Sequence, residues 1–381
     1  MKKIQIGTIQ LQPSGYRAFV PEAFPPKAML DFPKNILMKN SDATLKVGEL
    51  KGITRLLPDI DFFLKMYLRK DATSSSQIEG TAATMIDAIE AEAKISTDLP
   101  EDVDDILHYL KALHFGIQRV EDENFPLSLR LIKDLHFQLL HEARTSHLAN
   151  PGEFRTSQNW IGGTKLSDAR FVPPPPSALN SALGDLESFM HADDAVPVLL
   201  KAGLLHAQFE TIHPFLDGNG RTGRLLITLF LWSKHYLEKP VLYLSSYFHA
   251  HRQEYYDHLE GYHQGKVFEW LNFYLDGVIQ TATEAIETVD KITALREKDM
   301  RTIQGLGKRT AQPIIELLPR LYSQPIVNVQ TIQDWTGYTR NGAYKMVIRL
   351  VNLGILVPRF TDKTYGQSYM YKNYLDIFTE S

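Results

Sequence analysis

The chain has 381 residues, 44% of them hydrophobic, which is enough to bury one substantial core and leaves room for two or three. It has no cysteine, which excludes a disulfide framework and thiolate zinc sites and fits a reducing compartment. The formal net charge of −4 hides an asymmetry: from Lys291 onward 13 Lys and Arg face 7 Asp and Glu, so the tail is basic and the rest acidic. The opening MKKIQIGTIQLQPSG lacks the apolar core of a signal peptide, and the longest greasy run, Leu225 to Trp232, is far short of the roughly 20 residues of a membrane span. These features predict a cytoplasmic protein.

In chain order, most of the sequence reads as helix. Apolar residues recur at three-to-four spacing in Ile60, Phe63, Leu64, Tyr67 and Leu68, then in Ile106, Leu110 and Leu113, and again in Leu200, Leu204, Leu205 and Phe209. Strand signals are few: Trp160–Ile161, its expected partner Phe171–Val172, and the end of the chain. GGTKLSDAR lies between the first two, and the following PPPP must leave in an extended conformation, so this hairpin is expected to project as a flap. Residues 286 to about 305 are charged and read as a connecting helix. The basic tail then reads as a winged helix: AQPIIELLPRLY, VQTIQDWTG and YTRNGAYKMVIRLVNLGIL as three helices, and VPRF…SYMYKN as a hairpin. In this scheme Ala343, Met346, Leu350 and Val351 face inward, while Arg340, Asn341, Tyr344 and Lys345 face a groove, with DNA a candidate partner.

The chemistry concentrates in residues 213–224, HPFLDGNGRTGR, between a helix ending near Ile212 and the helix RTGRLLITLFLW. Gly218 and Gly220 permit backbone conformations closed to other residues, so successive amides can form an anion nest at a helix N-terminus. Arg221 and Arg224, three apart, can fork onto phosphate oxygens from one helix face. Asp217 offers a hard carboxylate oxygen of the kind magnesium takes alongside substrate phosphates. His213, whose imidazole ordinarily titrates near 6.5, suits removal of a proton from an attacking hydroxyl. A lone GNG is usually a turn and a lone HP a loop start; together in twelve residues they imply a polyphosphate site in which a hydroxyl attacks phosphorus directly.

This segment resembles the signature of the Fic family, HPFx(D/E)GNGRxxR, without departure, and PGEFR at 151–155, NWIGGT and FVPPPP resemble the family's target-positioning flap and its approach. The resemblance covers roughly residues 60 to 285. It implies an all-α Fic fold with a small hairpin flap, here followed by a C-terminal winged helix-turn-helix domain. It also implies a protein adenylyltransferase: His213 deprotonates a Ser, Thr or Tyr hydroxyl that attacks the α-phosphate of ATP, and pyrophosphate leaves. By the same resemblance Asp217 holds Mg2+ (or Mn2+), and Gly218, Asn219, Gly220, Arg221, Thr222, Gly223 and Arg224 bind ATP phosphates. Tyr255 and Tyr256 resemble the adenine wall, with ordinary helix packing as the alternative, and Ile161, Gly162, Gly163 and Thr164 border the nucleotide from the flap.

Upstream, Ser75, Glu79 and Gly80 in TSSSQIEGT match the family's inhibitory pattern (S/T)xxxE(G/N). The implied target of Glu79 is Arg224, with Ser75 buttressing the glutamate, so that ATP binds with its α-phosphate hidden; in some relatives the glutamate also supports removal of AMP. The competing reading is that Ser76 and Glu79 form a capping box that starts a helix. The resulting organisation is 1–90, an N-terminal region with the inhibitory helix; 91–288, the catalytic core; 289–305, a linker helix; and 306–381, the winged helix. A homodimer and modification of the chain itself are further expectations. Two other functions stay open: a nucleotide-sensing DNA-binding regulator, for which an intact His213 would be superfluous, and phosphorylation or transfer of another nucleotide.

Overall fold

The structure, a computed structural model, describes residues 3–54, 60–96, 98–121, 125–143, 149–237, 239, 241–360 and 366–379, with the side chains of 60–62 excepted; that of Ile60, assigned above to a core face, lies outside the described residues. Its elements are β1 (Gly7–Leu11), β2 (Arg17–Pro21), α1 (Lys34–Thr54), α2 (Ile60–Ile78), α3 (Met85–Glu92), α4 (Val103–Glu121), α5 (Leu129–Leu140), α6 (Pro176–His191), α7 (Val198–Ile212), α8 (Asn219–Ser233), α9 (Ser245–Ala250), α10 (Arg252–His263), α11 (Val267–Gln304), α12 (Lys308–Ser323), β3 (Ile326–Asn328), α13 (Val329–Thr336), α14 (Arg340–Asn352), β4 (Val357–Pro358), β5 (Ser368–Met370) and α15 (Lys372–Thr379). The chain divides into two compact units, Met1–Lys51 with Ser74–Gly80 and His108–Ala282, and Gly52–Thr73 with Thr81–Leu107 and Thr283–Ser381.

In the first unit α7 is the core. Every residue from Leu199 to Ile212 is buried, the apolar majority together with Lys201, His206, Gln208, Glu210 and Thr211. α8 packs beside it through Leu225 to Trp232, all buried. Two glycines admit large aromatics: a Cβ on Gly203 would stand 2.8 Å from the Tyr274 ring, and one on Gly277 2.6 Å from Tyr247. β1 and β2 form an antiparallel pair that the sequence reading missed, because Gly7 and the PSG turn break up its alternation. The expected flap hairpin contracts to a single antiparallel bridge, Ile161 to Phe171, since Gly162 and Gly163 take positive φ directly after it and turn the chain away. Its return segment is tied to β2 through Phe19 N–H to Val172 O, 2.9 Å.

The second unit contains the winged helix: α12, α13 and α14 against a three-stranded antiparallel sheet of order β3-β5-β4. Ala343, Met346 and Leu350 are buried as expected, but the fourth inward position is Val347 rather than Val351, which is half-buried near the frayed end of α14. Arg340, Asn341, Tyr344 and Lys345 are exposed. The connecting helix of 289–305 is not a separate element but the end of α11, a continuous 38-residue helix, because no Gly or Pro interrupts its apolar stripe after Gly277. The chain closes on α15, whose Tyr374 and Phe378 complete an aromatic cluster with Tyr322 and Tyr371; it too was not foreseen. Within this unit Arg69 bonds Glu92 (2.7 Å) and the carbonyl of Ser323 (2.8 Å), and Arg359 pairs with the buried Glu90. Among the described residues no helix is long and apolar enough to cross a membrane.

Candidate active site

α7 ends at His213, which adopts the left-handed conformation (φ 48°, ψ 60°) that a non-glycine residue rarely takes. Such a conformation persists only where neighbours over-determine it. Here Arg155 donates from Nε to the His213 carbonyl (2.9 Å), and Asn159 donates from Nδ2 to the same carbonyl (3.1 Å) and to that of Phe215 (2.8 Å). The Arg155 backbone N–H reaches Pro214 O at 2.8 Å. Asn219 closes the loop from the far side, accepting from Phe215 N–H (2.8 Å) and donating to Phe215 O (2.9 Å). Its side chain is therefore a loop clamp rather than a group facing a ligand.

His136 clamps the loop from beneath. It is fully buried and stacks on Phe215 with ring centroids 3.7 Å apart. Its Nδ1 accepts the Gly152 N–H (2.8 Å), so Nε2 carries the proton and donates to the Asp217 carbonyl (2.9 Å). Burial lowers its pKa to about 4, which keeps the ring neutral. Sequence reasoning assigned no role to His136, Arg155 or Asn159; the only signals were the places of Arg155 in PGEFR and Asn159 in NWIGGT.

Gly218 turns the chain into α8 with φ +75°, and a Cβ there would meet Leu140 at 2.8 Å. Gly220 does not share this property. It is an ordinary helical residue, and a Cβ there would stand 2.3 Å from Glu79 Oε1, so the glycine leaves room for that carboxylate where it lies. α8 has no side-chain N-cap, and its helical bonding begins with Thr222 N–H to Gly218 O (3.0 Å). The Asp217 carboxylate accepts Gly218 N–H at 2.6 Å.

Glu79 stands just past the last residue of α2, where Gly80 (φ +104°) stops the helix. Segment 75–79 therefore ends a helix and does not start one, which removes the capping-box reading of Ser76 and Glu79. The cap of the next helix is Thr84, in a box with Asp87. Arg224 donates from Nε to Ser75 Oγ (2.8 Å) and from Nη2 to Ser75 O (2.9 Å) and Glu79 Oε1 (2.7 Å). Ser75 thus holds the arginine, not the glutamate. Burial opposes the Arg224 charge, but the Glu79 carboxylate, by charge and by hydrogen bond, outweighs it and holds the guanidinium above its ordinary value. Arg221 is equally buried but does not join Arg224 in the cleft.

The cleft beside this ion pair measures about 480 Å³. Glu79, Glu210, His213, Gly220 and Arg224 form one side; Trp160, Ile161, Gly162, Arg170 and Phe171 of the flap form another; Tyr255, Tyr256, Leu259, Glu260 and His263 of α10 complete it. Tyr255 is anchored to His206 (2.9 Å) and Tyr256 donates to Ile78 O (3.3 Å). Arg170 joins the flap to α10 through Asp257 (2.8 Å) and Glu260. Gly163 and Thr164 lie outside the cleft: Thr164 Oγ1 donates to Asp168 Oδ2 (3.1 Å) and closes the flap turn. Thr222 and Gly223 also face away, Gly223 offering its carbonyl to His206 (2.9 Å). The His213 ring, partly buried, has Nδ1 3.3 Å from the Glu210 carbonyl, and burial pushes its pKa down to about 4. An imidazole whose Nδ1–H is directed at a carbonyl exposes Nε2 as a base.

A cleft with a helix N-terminus, a buried arginine and a neutral histidine, on a helical scaffold, defines a Fic-fold protein. Solved structures agree: a Fic family protein from Desulfovibrio desulfuricans G20 superposes with a TM-score of 0.54 at 17% identity, covering 87% of this chain and 95% of that one. Fic-1 from C. elegans gives 0.52 at 18% identity over 67% and 74%. The chain belongs to the Fic/DOC family: residues 126–231 match the Fic/DOC family model and 37–118 the Fic/DOC family N-terminal model. It is 32% identical over 158 residues to the protein adenylyltransferase Fic of Aedes aegypti, covering 41% of this chain and 28% of that protein. Against the protein adenylyltransferase Fic of Drosophila yakuba the figures are 25% over 277 residues, 71% and 51%. The chain thus spans between about a quarter and a half of the length of these curated relatives.

Proposed function

We propose that this chain transfers AMP from ATP to a protein hydroxyl and that the conformation described is its inhibited state. The observation that carries the reading is the Glu79 carboxylate, seated over Gly220 at the uncapped start of α8 and bonded to Arg224, where a phosphate would otherwise draw on the same groups. In the reaction His213 Nε2 takes the proton of a Ser, Thr or Tyr hydroxyl, the oxygen bonds the α-phosphorus, and the α–β bridging bond breaks with its electron pair leaving on pyrophosphate. Gly218 and the first amides of α8 receive phosphate oxygens, Arg224 the γ-phosphate once Glu79 withdraws, and Tyr256 one face of the adenine.

Among the described residues no group of three His, Asp or Glu side chains could hold a metal ion, so Mg2+ or Mn2+ would bind with the nucleotide, through Asp217 and phosphate oxygens, and neutralise phosphate charge. The flap fits recognition of a target backbone by strand addition, with the chain itself one candidate target. Glu79, which lines the cleft, would also be placed to support hydrolytic removal of AMP in the same site.

The test uses ATP labelled at the α-phosphate with wild type, Glu79→Gly, and Glu79→Gly with His213→Ala. The reading predicts faint, strong and no protein labelling respectively. Label from γ-labelled but not α-labelled ATP would instead establish phosphorylation, and nucleotide binding without transfer would return the sensor reading, which a retained base at residue 213 does not favour.

A second reading concerns the winged helix. A groove of about 730 Å³ is lined by Asn328, Val329, Gln330, Arg340, Asn341, Tyr344, Gly366, Gln367 and Tyr369, with no carboxylate among these described residues. Carboxamides beside one arginine at the start of α14 suit base edges and phosphate, which favours duplex DNA as the occupant. Fluorescence anisotropy with a duplex at low salt decides it: wild-type binding that weakens a few-fold in Arg340→Ala supports the reading, and no wild-type binding at any salt opposes it.

A further inference from the structure

Glu210 is the buried carboxyl that the reaction above does not use. It lies one helical turn before His213 on α7 and is only 6% exposed. Its Oε2 is 3.7 Å from His213 Nδ1, and its main-chain carbonyl is 3.3 Å from the same nitrogen. Its Oε1 is buried with no hydrogen-bond partner. A polar oxygen stranded in this way is costly unless the site gains from it. α8 is shaped to admit it: a Cβ on Gly223 would stand 2.5 Å from that oxygen, so the glycine is needed for the carboxyl to lie where it does.

We propose that Glu210 is a positioning residue for the His213 base, holding Nδ1–H toward itself and balancing the imidazolium that forms when Nε2 takes the target's proton. The inference rests on the reading of His213 as that base. Proton transfer to Nε2 leaves a cation in a partly buried ring, and a carboxylate facing Nδ1 compensates it without itself accepting the proton.

The groups around the pair set when this compensation is available. Arg224 of α8 faces Glu210, with Glu79 from the end of α2 and Tyr255 from α10; Arg155, Asp217 and His263 act on His213. Burial pushes the Glu210 pKa up to about 8, Arg224 lowers it and Glu79 raises it. With Glu79 in place the carboxyl is therefore mostly protonated at neutral pH. Withdrawal of Glu79 removes the opposing charge and favours the ionised form. One event would then open the phosphate site and ready the base.

The test takes the full chain carrying Glu79→Gly as parent and adds Glu210→Gln or Glu210→Asp. Histidine ring resonances, with His213 assigned by its loss in His213→Ala, report the His213 titration, and the pH profile of AMP transfer is measured in parallel. In Glu210→Gln the His213 midpoint should fall by about one pH unit, the acid limb of the rate should move the same way, and the plateau should drop about tenfold. KM for ATP should stay within about twofold, and Glu210→Asp should recover part of the midpoint. An unchanged midpoint and acid limb in a folded Glu210→Gln protein overturns the proposal. A parent that transfers no AMP sinks the functional reading, yet the titration still decides the role of Glu210. Should Glu210→Gln not fold, the carboxyl carbon of Glu210 is titrated in the parent with and without His213→Ala, and a resonance indifferent to the histidine refutes the pairing.

Discussion

Two helix starts in this molecule are finished in opposite ways. In the winged helix, α13 is capped by Asn328, which accepts Thr331 N–H at 2.8 Å, and α14 by Thr339, which accepts Gly342 N–H at 3.3 Å. Each donor is supplied from within three residues, as stability alone requires. α8 begins at Gly218, which has no side chain to cap with; Asp217 accepts the Gly218 N–H at 2.6 Å, and the Glu79 carboxylate, far away in sequence, stands beside Gly220 and bonds Arg224. A locally capped helix is finished when it folds. One left without a side-chain cap beside a distant, half-exposed carboxylate can take a ligand when that carboxylate moves aside. The neighbours differ as well: around α8 the charges are buried and their protonation is displaced, whereas Arg340 and Lys345 of α14 stand in water.

The comparison can be broken most severely at His213. In the Glu79→Gly background, His213→Ala should lower AMP transfer by roughly 10²–10⁴-fold, the range for loss of a general base, while calorimetry finds ATP affinity unchanged. Next comes the distant carboxylate itself: Glu79→Gly should raise transfer by at least about tenfold, a size typical of coupling between sites, with little loss of thermal stability. If Glu79 were a structural cap like Asn328, the same change would instead destabilise the protein and leave transfer alone.

The buried environment makes a prediction in pH. Because burial pushes the His213 pKa down to about 4, the neutral, competent form persists as pH falls. Transfer by the Glu79→Gly protein at pH 5.5 should match that at pH 7.5 within about twofold, and a decline centred near 6.5 would mean an ordinary, solvated histidine. Smaller still is the effect of local caps: Asn328→Ala should cost about 1 kcal/mol in urea melts without touching transfer. At the exposed end of the scale, Arg340→Ala should weaken duplex binding a few-fold and reduce its salt slope by about one.

How much of this was legible beforehand depended on sequence distance. HPFLDGNGRTGR announced a phosphate loop between two helices because histidine, carboxylate, glycines and arginines are contiguous there, and each residue's chemistry constrains the next. The winged helix was legible through apolar periodicity, which is a local property too. Val347 was misplaced as Val351 because periodicity fixes a stripe but not which of its members the neighbouring elements cover. Segment 75–79 could be read as ending or starting a helix, since Ser75 and Glu79 fit one helical face while Ser76 and Glu79 fit a capping box.

Other assignments arose only when segments met. Gly220 reads as a conformational glycine and is in fact a gap for Glu79. Asn219 reads as a ligand and is a clamp on Phe215. Arg155 and Asn159 stand in PGEFR and NWIGGT, but only the fold shows that they hold His213 in a left-handed conformation, while His136, outside any motif, pins Phe215 and Asp217 of the same loop. By itself, then, the sequence determined which chemistry is present and which helices carry it, because backbone preference and amphipathic period act over a few residues. The tertiary structure alone decided which carboxylate faces which cation, because desolvation and Coulomb attraction between buried groups depend on distance in space, and Glu79, Glu210 and Arg224 acquire both only once their helices pack.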